Sequence, residues 1–258
     1  MENKIKKKPL ILLSNDDGYD AKGLLTLIEV LRPLANLVVM APDGPRSGFA
    51  GALTITQPLR YQLISEAENF SFYKCSGTPV DCVKLALHDV LTEIPDLVIG
   101  GINHGDNSSV NVHYSGTLGI VLEGCMKGIP SIGFSLCDHN SQADFSPIAS
   151  TIVDIVTQIL EQGLPIGVCL NVNFPKIQQL RGVKICRQTK GTWANEYIKA
   201  THPTGKPYFW TVGEFHNEEP EAEDTDHWAL EHGYAAITPV QIDVTAYSAM
   251  KELQILVR

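Results

Sequence analysis

The feature that most constrains the fold is a series of continuous apolar runs that alternate with segments of helical periodicity. Five such runs lie at residues 9–15, 36–42, 95–103, 130–137 and 167–175. Four segments with apolar residues at helical spacing lie between them, at residues 21–34, 79–91, 116–128 and 147–160. Continuous apolar runs are typical of strands that are buried on both faces, as in parallel sheets. The alternation predicts an α/β fold: a three-layer, Rossmann-like, doubly wound and mostly parallel sheet.

Two segments depart from this alternation. Residues 51–63 alternate apolar and polar side chains, which predicts a half-exposed strand. After residue 175, β-rich and aromatic segments follow, so we divide the chain into a Rossmann-like core at 1–175 and a β-rich part at 176–258. A turn signal within the latter predicts a hairpin arm at about 188–215. The run at 233–243 predicts a strand that returns to the core or to a partner subunit, before a short C-terminal extension.

Net charge and hydropathy exclude two classes of partner. The 258-residue chain carries a formal net charge of −9 and has a pI near 5.3, so a nucleic acid polymer would be repelled. No apolar run approaches the about 20 residues that cross a bilayer, so we expect no membrane partner. The remaining candidates are small-molecule ligands and other copies of the chain.

The cysteines and the N-terminus bear on the cellular compartment. None of the six cysteines forms a C-x-x-C motif, and most lie among apolar residues, so we expect buried free thiols rather than zinc ligands or disulfides. The basic N-terminus "MENKIKKKPL" is not followed by a secretory apolar segment with a cleavage site. We interpret it as a solvated tail and expect a cytoplasmic protein.

The loops that follow three of the predicted strands are rich in glycine and small polar residues. They read "SNDDGYD", "APDGPRSGFAG" and "GGINHGDNSSVNVHYSG". In a parallel sheet these loops leave from the same edge, and ligands of open α/β sheets bind outside that edge. We therefore expect the three loops to meet in space.

Two adjacent carboxylates, Asp16 and Asp17, follow the first apolar run directly. Asp-Gly is common turn chemistry, so the tetrapeptide alone is explained by a solvated turn. Successive strand residues point to opposite faces, and the two carboxylates converge only if the chain leaves the strand at Asp16. Gly18 makes such a turn inexpensive. The position at the end of a buried strand favours a site for a positive charge.

The other two loops offer neutral oxygen and nitrogen groups. Ser47 is either a capping residue or a ligand, and Asn103 lies between small residues at the end of a buried strand. His104 is either a general acid, a substrate contact or a loop residue without such a role. Two carboxylates, a hydroxyl and an amide carbonyl are hard oxygen ligands, which favour Mg²⁺, Mn²⁺ or Ca²⁺ over zinc.

The segment "YSGTLGIVLEG" places Ser115 and Thr117 at the start of a helix. Both residue types are common N-caps. The same helix terminus also forms an anion site, and Gly116 and Gly119 let a ligand approach the backbone. The two interpretations are compatible. A cation beside an anion-binding helix start suits the hydrolysis of phosphate esters.

Taken together, the motifs resemble one family. "NDDG", "APDGPRSG", "SGT" followed by "DC" at 76–82, "GGINHGDN", "YSGT…EG" and "GYAAITPVQID" occur in this order. The set is similar to that of the SurE family, the stationary-phase survival nucleotidases, from about residue 9 to about residue 245. The resemblance implies a metal-dependent phosphatase that acts on nucleoside 5′-monophosphates and often 3′-monophosphates. Some members also trim short polyphosphate.

The resemblance also implies which residues carry the chemistry. It implies one divalent ion per subunit, Mg²⁺ or Mn²⁺, with Ca²⁺ as a substitute in crystals. The expected ligands are Asp16, Asp17, Ser47 and Asn103, of which the two carboxylates are also the expected catalytic residues. The expected substrate and phosphate contacts are Asn15, Asn107, Ser115, Gly116, Thr117 and His104. The family's exchanged C-terminal segments imply a homodimer or homotetramer. The aromatic arm either folds back on its own core or packs on a neighbouring subunit, and the resemblance favours the second.

Three other classes of protein compete with this interpretation. A signalling receiver domain also has an acidic pair after its first strand, but it requires a phospho-acceptor Asp where this chain has Asn103. Haloacid-dehalogenase-type phosphatases require D-x-D, which the adjacent pair does not match. A non-catalytic nucleotide-binding module is the remaining alternative, and loss of candidate metal ligands would favour it; all four are present.

Overall fold

The computed structural model describes residues 8–257. The strands are β1 (Leu10–Ser14), β2 (Asn36–Pro42), β3 (Tyr61–Ala67), β4 (Phe70–Cys75), β5 (Leu97–His104), β6 (Ser131–Leu136), β7 (Val168–Phe174), β8 (Gly182–Ile185), β9 (Gly191–Ala194), β10 (Tyr197–Thr201), β11 (Pro207–Thr211), β12 (Glu214–Asn217) and β13 (Tyr234–Gln241). The α-helices are α1 (Lys22–Leu31), α2 (Pro79–Leu85), α3 (Gly116–Met126), α4 (Ala149–Gln162), α5 (Asp226–Glu231) and α6 (Tyr247–Leu253). The prediction of a solvated N-terminal tail falls largely on residues 1–7, outside the described residues.

Nine strands form one sheet in the order β3-β4-β2-β1-β5-β6-β7-β13-β8. The six strands from β4 to β7 in this order are parallel to one another, while β3 and β13 run antiparallel to β4 and β7. The α/β fold class that the sequence predicted is confirmed. Because β13 pairs with both β7 and β8, the chain after residue 175 rejoins the central sheet.

Each face of the sheet carries its own apolar layer. Ile11 and Leu13 of β1 pack in the core beneath α1 and α4, whereas Leu12 packs in the cluster that includes α2. Successive strand residues point to opposite faces, so a strand that is covered on both sides must be apolar throughout. The continuous apolar runs in the sequence are therefore a consequence of the three-layer arrangement.

The predicted strand at residues 51–63 is wrong for most of its length. A strand begins only at Tyr61. Upstream of it, the Thr54 N–H donates to the Asp81 carboxylate at 3.1 Å, and the Ala52 carbonyl accepts from Thr78 Oγ1 at 2.7 Å. The alternation of residue types was therefore misleading, because these backbone groups bond to side chains at the start of α2 instead of forming a ladder. The strand β4 was not predicted.

The predicted hairpin arm is present as two consecutive antiparallel ladders. An inner ladder pairs β9 with β12, and an outer ladder pairs β10 with β11. The four strands of the arm are separate from the nine-stranded sheet. Among residues 8–257, no helix combines the length and the apolar character needed to cross a membrane.

Candidate metal and phosphate site

The candidate site lies where the chain direction across the sheet reverses. From β1 the chain continues to β2 on one side, whereas β5 pairs with β1 on the other side. A crevice opens outside the carboxyl ends of the strands at such a switch point. The segments that leave β1 and β5 there carry the acidic pair and the sequence "NHGDN".

The turn after β1 is shaped by Asn15 and Gly18. Asn15 is fully buried, and its Nδ2 donates to the Gly18 carbonyl at 2.8 Å. Gly18 has φ +109°, a conformation that side chains rarely adopt. Asn15, an expected substrate contact, thus serves to close the turn, and its buried Oδ1 has no protein hydrogen-bond partner among the described residues.

The Asp16 carboxylate meets the start of α3. Thr117 Oγ1 donates to Asp16 Oδ1 at 2.6 Å. A Cβ on Gly116 would lie 2.7 Å from the Asp16 Cβ, so only glycine allows this approach. These contacts place the acidic turn directly against the helix start that the sequence marked as an anion site.

The Asp17 carboxylate is half-buried and faces β5. The backbone N–H of His104 donates to Asp17 Oδ2 at 3.1 Å. Since Asp16 contacts α3 while Asp17 contacts the end of β5, the turn lets two consecutive carboxylates bridge the crevice.

Burial raises the pKa of both carboxyl groups. Desolvation, reinforced by the neighbouring Asp17 charge, raises the pKa of Asp16 to about 7, although the Thr117 hydrogen bond opposes the shift. Desolvation raises the pKa of Asp17 to about 6, and the His104 backbone N–H and nearby His139 lower it. No Lys or Arg in the described part of the chain forms an ion pair with either group. A cation would satisfy both carboxylates.

The loop after β2 is held against the acidic turn. The Arg46 N–H donates to the Asp16 backbone carbonyl at 2.7 Å, which brings Ser47 to the same cavity. Asn103 Nδ2 donates to the Gly105 carbonyl at 2.8 Å, so the amide oxygen is left for another partner. Residues 8–257 contain no group of three His, Cys, Asp or Glu side chains that could hold a metal ion. A cation here would therefore depend on these neutral oxygens as well as the carboxylates.

A cavity of about 280 Å³ brings these groups together. Its lining includes Asp16, Ser47, Asn103, Asn107 and Ser115. Three of the expected ligands and three of the expected substrate and phosphate contacts, Asn107, Ser115 and His104, thus share one cavity. Asp17 approaches it through its contact with His104, which also lines the cavity.

The helix start at the cavity has both features expected of it. Ser115 is the N-cap of α3, and its Oγ accepts from the Leu118 N–H at 3.0 Å. The cap interpretation of Ser115 is therefore confirmed, while its contact with phosphate stays a prediction. Because the hydroxyl and the helix dipole both face the cavity end of α3, an anion there would meet a favourable field.

Asn107 is fixed by a buried amide network that the sequence analysis missed. Its N–H donates to Asn173 Oδ1 at 2.7 Å, its Nδ2 donates to Ser135 Oγ at 2.8 Å, and its carbonyl accepts from Asn171 Nδ2 at 2.7 Å. Asn171 and Asn173 lie two apart on β7 and so share a face. Two asparagines at this spacing in a buried strand were the signal that could have found them.

His104 is held by the scaffold through both ring nitrogens. Nδ1 lies 2.9 Å from the Asn140 carbonyl, and Nε2 accepts from the Gly23 N–H at 3.3 Å. The ring also packs edge-on against Phe145, with centroids 5.1 Å apart. Both ring nitrogens therefore contact backbone groups in this arrangement, and a role for His104 as a general acid or substrate contact stays a prediction. The cavity lining also includes residues that the sequence analysis did not select, among them Asn111, Tyr114, His139 and Trp193.

The chain is similar to known proteins along almost its whole length. A family model described as "Survival protein SurE" matches residues 11–195. The chain is 64% identical over 249 residues to the "5'-nucleotidase SurE" of Phocaeicola vulgatus, covering 96% of this chain and 97% of the relative. It is 58% identical over 247 residues to the protein of the same name from Bacteroides thetaiotaomicron, covering 96% and 95%. The crystal structure of the Sure protein from Aquifex aeolicus matches with a TM-score of 0.84 at 39% identity, covering 97% of this chain and all of that one.

Proposed function

The chain belongs to the SurE family and is a 5′-nucleotidase, and we propose that it hydrolyses nucleoside 5′-monophosphates in the cavity beside Asp16 with the help of one divalent cation. The observation that carries the proposal is the position of the buried Asp16 carboxylate against the N-terminus of α3, with the half-buried Asp17 beside it and no ion pair to either group from residues 8–257. A cation and a phosphate group placed there would each face groups of opposite charge or dipole.

Asp16, Asp17, Ser47 and Asn103 are the residues that would hold the cation. The fit rests on the unpaired carboxylates, their raised pKa values and the free Asn103 amide oxygen. Their hard oxygens favour Mg²⁺ or Mn²⁺. When bound, such an ion polarises a phosphoryl oxygen and lowers the pKa of a water ligand.

The chain's own groups orient the substrate around that position. The Ser115 hydroxyl and the backbone at the start of α3 would face the phosphate, and the absence of a side chain on Gly116 lets Asp16 lie directly against this helix start. Thr117 holds Asp16 through its hydroxyl, and the amide network fixes Asn107 at the cavity wall. These rigid supports limit rearrangement when negative charge develops on the phosphate oxygens.

We extend the proposal to a homodimer or homotetramer in the cytoplasm. α6 has no buried residue, and Tyr247, Met250 and Leu253 are all more than half exposed. Exposed apolar helices of this kind normally pack against a partner. The six cysteines are free in the structure, which suits a reducing compartment.

The test is a panel of nucleoside 5′- and 3′-monophosphates, assayed for phosphate release after exhaustive chelation and again with Mg²⁺ or Mn²⁺ restored. We expect release from the 5′-monophosphates only in the presence of the ion. Full activity in the chelated protein would contradict the cation. Binding of nucleotides with no phosphate release under any condition would favour the non-catalytic module instead.

A further inference from the structure

The arm contributes one side chain to the candidate active-site cavity. Trp193, on the inner strand β9, lines the cavity together with Tyr114 and Asn111. The other residues of the arm, from 194 to 217, are not among the lining residues. The contact therefore singles out one aromatic position rather than the arm as a whole.

The indole of Trp193 is fixed before any ligand binds. Its Nε1 donates to Asn111 Oδ1 at 2.9 Å, and the ring of Phe215 packs against it at 5.8 Å and 66°. A Cβ on Gly213 would lie 2.8 Å from the indole, so the opposite strand makes room for the ring. An aromatic ring that is already ordered costs little conformational entropy when a ligand stacks on it.

Burial differs between the two parts of the cavity lining. Asp16, Asn107 and Ser115 are at most 6% exposed, whereas Tyr114 is 60% exposed. A ligand whose anionic end reaches the buried polar groups consequently has its other end near the exposed Tyr114 and the partly buried Trp193. A nucleoside monophosphate has this polarity, with phosphate at one end and a flat aromatic base at the other.

We propose that Trp193 is the platform on which the nucleobase of the substrate stacks, with Tyr114 beside it. The inference rests on the proposed nucleotidase function and assigns the base-binding part of the same cavity. It makes the arm a determinant of substrate recognition in addition to any role in assembly.

The test compares two substrates that share a phosphate ester but differ in the base. AMP carries a purine, and ribose 5-phosphate carries none. For Trp193→Ala, we expect the KM for AMP to rise about tenfold, which corresponds to the loss of one base–aromatic stack. The kinetics with ribose 5-phosphate should stay within about twofold of the unmodified protein. Trp193→Phe retains a flat ring and should recover most of the AMP affinity.

Trp210→Ala is the matched control, since Trp210 is a 64% exposed tryptophan of the outer ladder that does not line the cavity. It should leave both substrates unaffected. An equal loss with AMP and ribose 5-phosphate for Trp193→Ala would show a merely structural role and overturn the proposal, as would an unchanged KM for AMP. Calorimetric binding of AMP is measured in parallel. If the unmodified protein releases no phosphate, the proposed nucleotidase function is contradicted, whatever the role of Trp193. The binding measurement still tests Trp193 in that case, because an AMP affinity that is unchanged in Trp193→Ala would contradict stacking of the base on this residue.

Discussion

Two regions of this molecule contrast in how their contacts are made. The first is the loop edge, which we define as residues 14–18, 46–48, 103–107 and 114–117. Its key hydrogen bonds join residues far apart in sequence, such as Asp16 and Thr117 or Asp17 and His104, separated by 101 and 87 positions. The second is the arm, residues 191–217, whose ladders pair near neighbours such as Tyr197 and Thr211.

The two regions also differ in what they expose. Much of the loop edge is buried and polar. Burying the Asp16 and Asp17 carboxylates there removes them from water, which disfavours their charged forms. The outer ladder of the arm is exposed and aromatic, with Phe209 and Trp210 each more than half accessible. The contrast teaches that changes at the loop edge should alter chemistry, whereas changes at the outer arm should alter association.

The largest expected effect is the loss of turnover in Asp16→Asn and Asp17→Asn. Each removes a charge that the cation requires, so activity should fall by about 10³-fold or more, at the upper end of what one oriented group contributes. The cation-free protein should unfold at the same or a higher temperature, because a buried charge and a like-charge repulsion are removed. Activity assays and thermal melts measure the two outcomes.

Ser47→Ala is the control for this prediction, because water can replace a neutral ligand and the loss should be milder. Equal losses in all three variants, combined with unchanged cation affinity by calorimetry, would contradict the assignment of these residues as ligands.

The next effect concerns Ser115, which the structure shows as a helix cap. If it also contacts phosphate, Ser115→Ala should lower kcat by about 10²–10³-fold. Loss of a cap alone costs about 1 kcal/mol of stability. Thr78→Ala is a matched control, because Thr78 caps α2 in the same manner. A change in melting temperature for Ser115→Ala with normal kinetics would leave only the capping role.

A smaller effect on catalysis and a clear effect on assembly are expected from trimming the arm. The Val212 N–H donates to the Glu196 carbonyl at 2.9 Å, so a short glycine-containing turn can replace residues 197–211 and retain Trp193. The trimmed protein should form a smaller oligomer by light scattering, because exposed aromatic surface is removed. Its activity on AMP should stay within about twofold, since the loop edge is untouched. A monomeric intact protein, at concentrations where it is active, would reject the arm as an association surface.

The smallest effect is a pH dependence of stability in the cation-free protein. The folded pKa values of Asp16 and Asp17 lie above the ordinary value of 3.8, so the folded state binds protons more tightly than the unfolded state. The stability that these groups contribute is therefore fully present below pH 3.8 and is lost as the pH rises through about 6 to 7.

We expect the melting temperature to fall by a few degrees over this range, because about 1 kcal/mol corresponds to about 2–4 °C in a chain of this size. Asp16→Asn should flatten the dependence, and Mg²⁺ or Mn²⁺ should reverse it above pH 7. A profile that is identical with and without Asp16 would show that this carboxyl group is not the one that titrates.

The sequence by itself determined the layered α/β fold and the two carboxylates after the first strand. Local periodicity reports burial, and strands covered on both faces leave short continuous apolar runs, which in this chain alternate with amphipathic segments. The arm was predictable for a related reason, because its four strands are near neighbours along the chain with a turn signal in their middle. The motifs at the loop edge were also local, and their order along the chain carried the resemblance to the family.

Only the tertiary structure decided which groups meet. The sequence marked His104 as a candidate acid, but both of its ring nitrogens bond to residues on other segments, Gly23 and Asn140. The strand predicted at residues 51–60 was wrong because backbone groups of Ala52 and Thr54 bond to the Thr78 and Asp81 side chains at the start of α2. The sequence also held no sign that Trp193 reaches Asn111 across 82 positions. A residue's type and its neighbours in sequence state how polar and how buried it should be. Its hydrogen-bond partner is often a residue far away in sequence that only the folded chain brings close, and local sequence patterns do not encode such long-range pairs.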